Sequence, residues 1–376
     1  MKYVLDEMFA FRFYEKKDGP FVSLRQFNYD EVTEIGKKAG ICNIHDIYKN
    51  RVMIEDLLMR LFKRKGGISD LPYPYYATVF DELPSNNQLH VRFNEPQCLK
   101  IPMKEFPKDK VSFTYGQSPR ALTRKDNHPT RRKVLLWDEA EWVINQFPYI
   151  YDEGTWLEMQ IWEDNTLKKF YQNSENITDF VVEERLSEQE RVDLIRKYSE
   201  EFRSLTSDLF FSPNSVHGLS HARRVLVLSD IIADHCGRVE KDRKVLKCAA
   251  AFHDIGRMNH KEDENHGVES YKKMEERNVI PSDIEAEDRK LLQYIVEEHP
   301  RDFEKAKKRL NELNIHDKQR AADLLSILKD ADTLDRCRFG NVDILYLINP
   351  ESKKLVNLGY QLLTIYPVSY THLTLP

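Results

Sequence analysis

The feature that most constrains the fold is a change of hydrophobic pattern near Leu186. Before it, short runs of alternating apolar and polar residues are separated by turn signals, which is typical of strands. After it, apolar residues recur almost continuously at helical spacing. No flexible linker separates the two patterns. We therefore expect an α+β domain over residues 1–185 and an all-α domain over residues 186–366.

Strands and two helices are predicted in the first part. The strand predictions are FVSLRQF, QLHVRF, KVSFTY, RKVLLW and LEMQIW. The helix predictions are Arg51–Lys63, ended by Gly66 and Gly67, and Asp138–Gln146. The four tryptophans are Trp137, Trp142, Trp156 and Trp162. They fit the core of an α+β domain better than a base-stacking surface, and this half resembles no family.

Helices account for most of the second part. Ser187 to Glu190 has the pattern of a capping box, followed by apolar residues at helical spacing. Further helices are predicted to begin near Ser220 and to cover Val245–His253, Asp288–His299 and Ala321–Asp335. In the second of these four helices, Val245–His253, apolar residues surround the whole segment, so this helix is expected to be buried.

Composition places the chain among globular proteins. The 376 residues are 41% hydrophobic and 32% charged, and no apolar run approaches the roughly 18 residues of a membrane span. The N-terminal segment contains acidic residues and no long apolar core, unlike a secretory signal. Five scattered cysteines without a CxxC pair indicate reduced thiols. We expect a cytoplasmic protein that does not enter membranes.

Charge argues against general coating of nucleic acid, because the net charge is −5. A local exception is region 104–133, with nine Lys or Arg residues against three Asp or Glu. Such a region is usually a solvated face, but a nucleic-acid contact is the other interpretation.

The last residues resemble a translated sequencing adaptor. A transposon-end sequence encodes VSYTHLTLP, residues 368–376, in order, and its preceding bases also fit a proline codon at Pro367. We therefore expect residues 367–376 to be an artefact without functional information, and the native sequence to stop near Tyr366.

Histidines are concentrated in the helical half, where seven of the twelve lie between His217 and His299. His221 shares a helical face with apolar residues, and His253-Asp254 ends the apolar segment VLKCAAAF. A carboxylate at the end of a buried helix is unfavourable unless a cation compensates its charge. Asp332 lies in the same kind of apolar surroundings.

Each of these residues also has a structural interpretation. A lone histidine on an apolar face is usually a hydrogen-bonded core residue, and Asp330, Asp332 and Asp335 fit an acidic helix end. Imidazole and carboxylate groups together suit Mn²⁺, Fe²⁺, Mg²⁺, Zn²⁺ or Ni²⁺. Without a cysteine ligand, a structural zinc site is not expected.

The strings HGLSHARRV, AAAFHDIGR, HGVES and KDADTLDR resemble the HD phosphohydrolase superfamily over residues 186–340. The resemblance implies a helical domain that holds a divalent metal through a histidine, a His-Asp pair and a later aspartate. These are His221, His253, Asp254 and Asp332, with Asp330 as the alternative for the last. It further implies that Asp254 orients an attacking water and that the substrate is a small phosphorylated molecule, most often a nucleotide.

Other site residues follow with alternatives left open. Arg224 and Arg257 are candidates for phosphate binding, since guanidinium matches phosphate geometry, or for salt bridges. His266 and His299 either bind a second metal or line the pocket of a single-metal site, with His266 as general acid. We favour the single metal, because family members with two often have paired histidines where this chain has His299-Pro300.

Two alternatives to a phosphohydrolase are also compatible with the sequence. One is a non-catalytic protein that senses a nucleotide, although the four ligand positions are intact. The other is a nuclease that uses region 104–133. The sequence does not predict the oligomeric state.

Overall fold

The computed structural model describes residues 2–38, 41, 44–84, 93, 95–150, 155–173, 177–179, 186–261, 263–339, 342 and 344–367. The chain forms two compact units. Unit 1 contains Met1–Ile35 and Asn43–Glu184, and unit 2 contains Gly36–Cys42 and Arg185–Pro376. No helix among the described residues is long and apolar enough to cross a membrane.

Unit 1 is built on an antiparallel sheet of six strands in the order β4-β5-β2-β1-β3-β6. The strands are β1 Phe9–Glu15, β2 Tyr75–Phe80, β3 Pro96–Pro102, β4 Val111–Tyr115, β5 Leu157–Ile161 and β6 Ile177–Asp179. The helices are α1 Tyr29–Lys38, α2 Ile44–Arg64, α3 Ser118–Thr123, α4 Trp137–Gln146 and α5 Asn165–Tyr171. This is the predicted α+β class.

Two of the six strands correspond to predicted ones. KVSFTY and LEMQIW correspond to β4 and β5. Strand β1 is not predicted from the sequence, because its residues do not alternate in polarity. Strands β2 and β3 were also not predicted. QLHVRF lies outside the described residues except for Phe93.

Two predicted strands are wrong. In FVSLRQF, Ser23 and Gln26 form a capping box around a 3₁₀ turn at Leu24–Gln26, so local side-chain hydrogen bonds replace pairing with a strand. In RKVLLW, one bridge joins Leu135 to Phe113, and helix α4 then begins at Trp137.

Three of the four tryptophans belong to the core, as predicted. Trp137, Trp156 and Trp162 are buried. Trp142 is 58% exposed, on the face of α4 that points away from the sheet, so the core prediction is wrong for this residue.

Unit 2 is helical in its described part, as the pattern after Leu186 predicts. Its α-helices are α6 Glu188–Lys197, α7 Leu219–His235, α8 Glu240–Phe252, α9 His266–Glu276, α10 Ala286–Glu298, α11 Phe303–Leu310, α12 Lys318–Leu334, α13 Pro350–Lys353 and α14 Val356–Ile365. The Ser187 capping box is present. Helix α7 packs against α8 and α12, and α10 packs against α8, α9 and α12. The ends of these helices converge on one buried polar cluster.

Candidate metal centre

Four buried histidines converge from four helix ends. His221 lies in the first turn of α7 and His266 begins α9, whereas His253 directly follows α8 and His299 directly follows α10. The side chains of all four are at most 3% exposed. Their Nε2 atoms all lie within 4 Å of a carboxylate oxygen of Asp254.

The opposite ring nitrogen of each histidine has a fixed acceptor. His221 Nδ1 donates to Asp335 Oδ2 at 2.7 Å. His253 Nδ1 donates to Ala250 O at 2.8 Å and His299 Nδ1 to Val296 O at 2.7 Å. His266 Nδ1 donates to Asp263 O. Because carbonyl and carboxylate oxygens only accept, each neutral ring is the tautomer with a lone pair on Nε2.

Asp254 divides the histidines into two pairs. Its Oδ2 lies 3.4 Å from His221 Nε2 and 3.9 Å from His253 Nε2. Its Oδ1 lies 3.0 Å from His266 Nε2 and 3.6 Å from His299 Nε2. One carboxylate therefore presents a separate oxygen to each pair.

The two nitrogens within each pair are close. His221 Nε2 lies 3.1 Å from His253 Nε2, and His266 Nε2 lies 2.9 Å from His299 Nε2. Two lone pairs at such a distance repel each other unless a cation or a proton lies between them. Imidazole nitrogens and carboxylate oxygens are suitable ligands for a divalent transition metal, so the residues fit the metal that the sequence predicts.

Asp332, and not Asp330, completes the first pair. Asp332 Oδ1 lies 3.5 Å from His221 Nε2, and its side chain is 40% exposed. The carboxylate of Asp330 is turned away and accepts hydrogen bonds from the backbone of Ile348 and Asn349 and from the Ser352 hydroxyl. Potential ligand atoms lie within 4.8 Å of one another in several groups, which include His221 with His253 and Asp332, and His253 with Asp254 and His299.

Two glycines allow the helices to approach so closely. A Cβ on Gly256 would lie 2.2 Å from the backbone nitrogen of Ser270 in α9, and a Cβ on Gly267 would lie 2.5 Å from Val296 O in α10. Helix α8 ends at Phe252, before Gly256, and Gly256 provides space for α9.

Burial and the carboxylates set the charges of the cluster. Burial lowers the pKa of His253 to about 3 and opposes ionisation of Asp254. The surrounding histidines outweigh that burial and hold the pKa of Asp254 well below its usual range. For Asp332, His221 and His253 likewise outweigh its partial desolvation and lower its pKa to about 2. Both carboxylates are therefore ionised at neutral pH, as ligands must be.

Arg224 forms a buried salt bridge, which is one of its two predicted roles. It is fully buried, and its guanidinium forms a bidentate pair with Asp335, at 2.5 and 3.1 Å. Its Nη1 donates to Tyr366 O. The salt-bridge interpretation of Arg224 is therefore the one that the structure supports.

Arg257 lies at the exposed side of Asp254. Its Nε donates to Asp254 Oδ1 at 2.7 Å, and its Nη1 donates to Lys261 O at 3.3 Å. It lines a cleft beside Asp254 together with His217, Asn259 and His260. Phosphate binding by Arg257 stays a prediction.

Two residues of the centre were not predicted. His217 Nδ1 donates to Asp254 Oδ2 at 2.9 Å, so it holds the carboxylate from the side opposite Arg257. Asp335 holds His221 and is itself paired with Arg224 and Arg338. His217 is part of the string HGLSHARRV and has no predicted role, and Asp335 is part of KDADTLDR, where it was interpreted only as part of an acidic helix end.

Region 104–133 has less free positive charge than its composition indicates. Lys108 pairs with Asp6, and Lys110 pairs with Asp70. Arg124 and Arg131 both pair with Asp126. This favours the interpretation of region 104–133 as a solvated face.

Comparison with known proteins gives one finding. A family model described as the HD domain matches residues 218–337. The matched range contains His221, His253, Asp254, His266, His299 and Asp332. No curated protein and no solved structure matches the chain.

Proposed function

Because the C-terminal half carries an HD domain, the hallmark of a superfamily of metal-dependent phosphohydrolases, we propose that this protein hydrolyses a phosphate ester or anhydride bond. The observation that carries the proposal is the convergence of four Nε2 atoms on the two oxygens of Asp254. The spaces beside the two oxygens are both lined by nitrogen and oxygen ligands, as divalent cations require.

We propose two metal positions rather than the single one that the sequence analysis favours. His221, His253, Asp332 and Asp254 Oδ2 would hold the first ion. His266, His299 and Asp254 Oδ1 would hold the second. The close approach of His266 Nε2 and His299 Nε2 supports the second position, because it repeats the arrangement of the first pair.

Divalent ions held by these residues would supply a hydroxide from water at neutral pH and neutralise charge on the phosphoryl oxygens. The protein's own contribution is orientation. His217 and Arg257 donate to different oxygens of Asp254 and so fix the plane of its carboxylate. That plane directs one oxygen to each histidine pair and orients the attacking water. Arg257, at the edge of the cleft, is placed to bind a substrate phosphate.

The test is hydrolysis by the purified protein. Mono-, di-, tri- and cyclic nucleotides and bis(p-nitrophenyl) phosphate are incubated with Mn²⁺, Fe²⁺, Mg²⁺, Zn²⁺ or Ni²⁺. We expect turnover that EDTA abolishes and that His253→Ala or Asp254→Ala lowers by about a hundredfold or more. His235→Ala is the matched control, because His235 is an exposed histidine on the same helix as His221. Absence of turnover in the full panel would contradict the proposal.

Metal analysis on the same proteins tests the second position. Protein purified without chelator should contain close to two ions per chain, and His266→Ala or His299→Ala should contain close to one. One ion in the unchanged protein, with no loss in either variant, would restore the single-metal interpretation.

A further inference from the structure

One lysine ties the end of helix α10 to helix α12. Lys329, on α12, donates from Nζ to His299 O at 2.7 Å and also to Arg301 O. Both carbonyls belong to the turn after α10, where no further helical turn supplies backbone donors. Pro300, between them, has no N–H of its own. The ammonium group therefore holds the backbone of a candidate metal ligand.

His299 is thus held in two places. Its ring Nδ1 donates to Val296 O at 2.7 Å, and Nε2 on the other side of the ring faces Asp254 Oδ1 and His266 Nε2. This bond fixes the ring relative to its own helix, whereas Lys329 fixes the backbone of the same residue relative to α12. Distances between a metal and its ligands vary by only about 0.2 Å, so both restraints contribute to a usable site.

The face of α12 that carries Lys329 also carries a ligand of the first metal position. Asp332 follows Lys329 by three residues, so the two side chains lie on the same side of the helix. Asp332 Oδ1 lies 3.5 Å from His221 Nε2. One turn of α12 therefore presents a carboxylate to the first position and an ammonium group to the turn beside the second.

A charged group is a costly way to satisfy two carbonyls. Burial lowers the pKa of the Lys329 amine, against the opposing effect of four nearby carboxylates, those of Asp332, Asp302, Asp330 and Glu298. The negative end of the α10 dipole faces the ammonium group and offsets part of the desolvation. A partly buried cation whose hydrogen-bond partners are neutral still costs more than an apolar contact at the same place. This cost argues for a role beyond packing.

We infer that Lys329 is a positioning residue of the second metal position, which keeps His299 Nε2 and His266 Nε2 together beside Asp254 Oδ1. The inference rests on the proposed function, because the second position is part of it. Loss of the ammonium group should weaken the second position more than the first. The histidines of the first position have other restraints, since His221 donates to Asp335 and His253 to Ala250 O.

Manganese binding tests the inference. Mn²⁺ is titrated into the metal-free full chain, with stepwise affinities measured by calorimetry and the ions followed by EPR. Two Mn²⁺ ions bridged by one carboxylate are spin-coupled, so their spectrum differs from that of an isolated ion. In Lys329→Met, which keeps the length of the side chain and removes the donor, we expect the second affinity to fall by about tenfold or more. The first affinity should stay close to that of the unchanged protein, and the coupled signal should be lost.

Two further variants separate positioning from packing. Lys329→Arg keeps a charged donor and should restore most of the second affinity. Lys318→Met is the matched control, because Lys318 lies on the same helix and also donates to a backbone carbonyl, Asn311 O at 2.8 Å, in a turn without candidate ligands. An unchanged second affinity in Lys329→Met would overturn the inference. So would equal weakening of both positions with a lower melting temperature and no rescue by Lys329→Arg.

The His299 ring gives a measurement that needs no metal. In metal-free protein labelled with ¹⁵N-histidine, its resonance is assigned by its absence in His299→Gln. We expect the Nε2 resonance to shift in Lys329→Met and not in Lys318→Met. If the unchanged protein takes up one ion only, the second position fails, and an unshifted ring resonance would overturn the role of Lys329 as well. None of these measurements depends on turnover, so an absence of hydrolysis contradicts the proposed function alone.

Discussion

The histidines of the candidate metal centre are oriented by the hydrogen bonds of their Nδ1 atoms. Each of the four inward histidines donates Nδ1–H to an oxygen of the protein, which leaves Nε2 as the ligand atom. For His221 that oxygen belongs to Asp335, which is itself held by Arg224 and Arg338. Such partners orient the ring and increase its basicity as a ligand.

Asp335→Asn should therefore weaken metal binding without removing a ligand. We expect a 10- to 100-fold loss of metal affinity, on the order found for changes to partners of metal-binding histidines. Asp330→Asn is the matched control, since Asp330 is an equally buried aspartate of α12 that faces away from the centre. Metal titration of both proteins measures the effect. Equal affinity in Asp335→Asn and the unchanged protein would contradict the role given to Asp335.

The site residues that the sequence predicts are polar or charged residues on helix faces that are otherwise apolar. His221, His253 and Asp332 occur among apolar residues at helical spacing, and the structure brings them together. His217 precedes its helix in a loop, where no periodicity indicates direction. The partner of Arg224 is Asp335, 111 residues away along the chain, and only tertiary structure brings the two together.

At the scale of helices, the same arrangement of a histidine after a helix end occurs twice. Helices α8 and α10 both end immediately before a histidine whose Nδ1 donates to the carbonyl three residues earlier. The bond satisfies a carbonyl at the helix end and simultaneously directs Nε2 into the centre. The sequence shows this as an apolar helix followed by His253 or His299. Strands were harder to predict. The residues of β1 do not alternate in polarity, and the segment that forms the capped turn around Ser23 has a sequence that looks like a strand.

Helix α7 is anchored far from the centre by Asp230. Its carboxylate accepts hydrogen bonds from Arg243 on α8 and from Tyr198, which follows α6. Burial opposes ionisation, but these bonds outweigh it and lower the pKa of Asp230 from 3.8 to about 2. A lowered pKa means that the ionised group stabilises the fold above pH 4 and that this stabilisation disappears as the pH falls towards 2.

Asp230→Asn should accordingly cost about 2 kcal/mol of unfolding free energy at pH 7, which is the pKa difference converted to energy. Urea unfolding of the two proteins at pH 7 and at pH 3 measures it. The difference between them should be smaller at pH 3. A difference that stays constant between these pH values would show that charge is not the cause.

On the scale of the whole molecule, the two units differ in whether they contain candidate metal ligands. Unit 1 has its own apolar core on the sheet, which includes Leu99, Phe113, Trp137 and Met159. The candidate ligands all lie in unit 2. A ligand that binds only the folded form stabilises the part that binds it.

Differential scanning calorimetry of the full chain should therefore show two transitions, of which Mn²⁺ raises one. At a metal concentration of about 100 times Kd, the gain in stability is about 2.7 kcal/mol per site. In Asp254→Ala the gain should be lost, because both metal positions use this residue. If both transitions rise together, or if the gain persists in the variant, the ligand assignment is wrong.

The spread of the candidate ligands along the chain has a consequence for biosynthesis. They run from His221 to Asp332, and Asp335, which orients the first of them, comes later still. A nascent chain that has not yet released α12 from the ribosome lacks Asp332 and leaves His221 without its partner. Metal loading of the first position must therefore follow synthesis of almost the whole helical unit, and a chain that terminates early would be left without a stable metal.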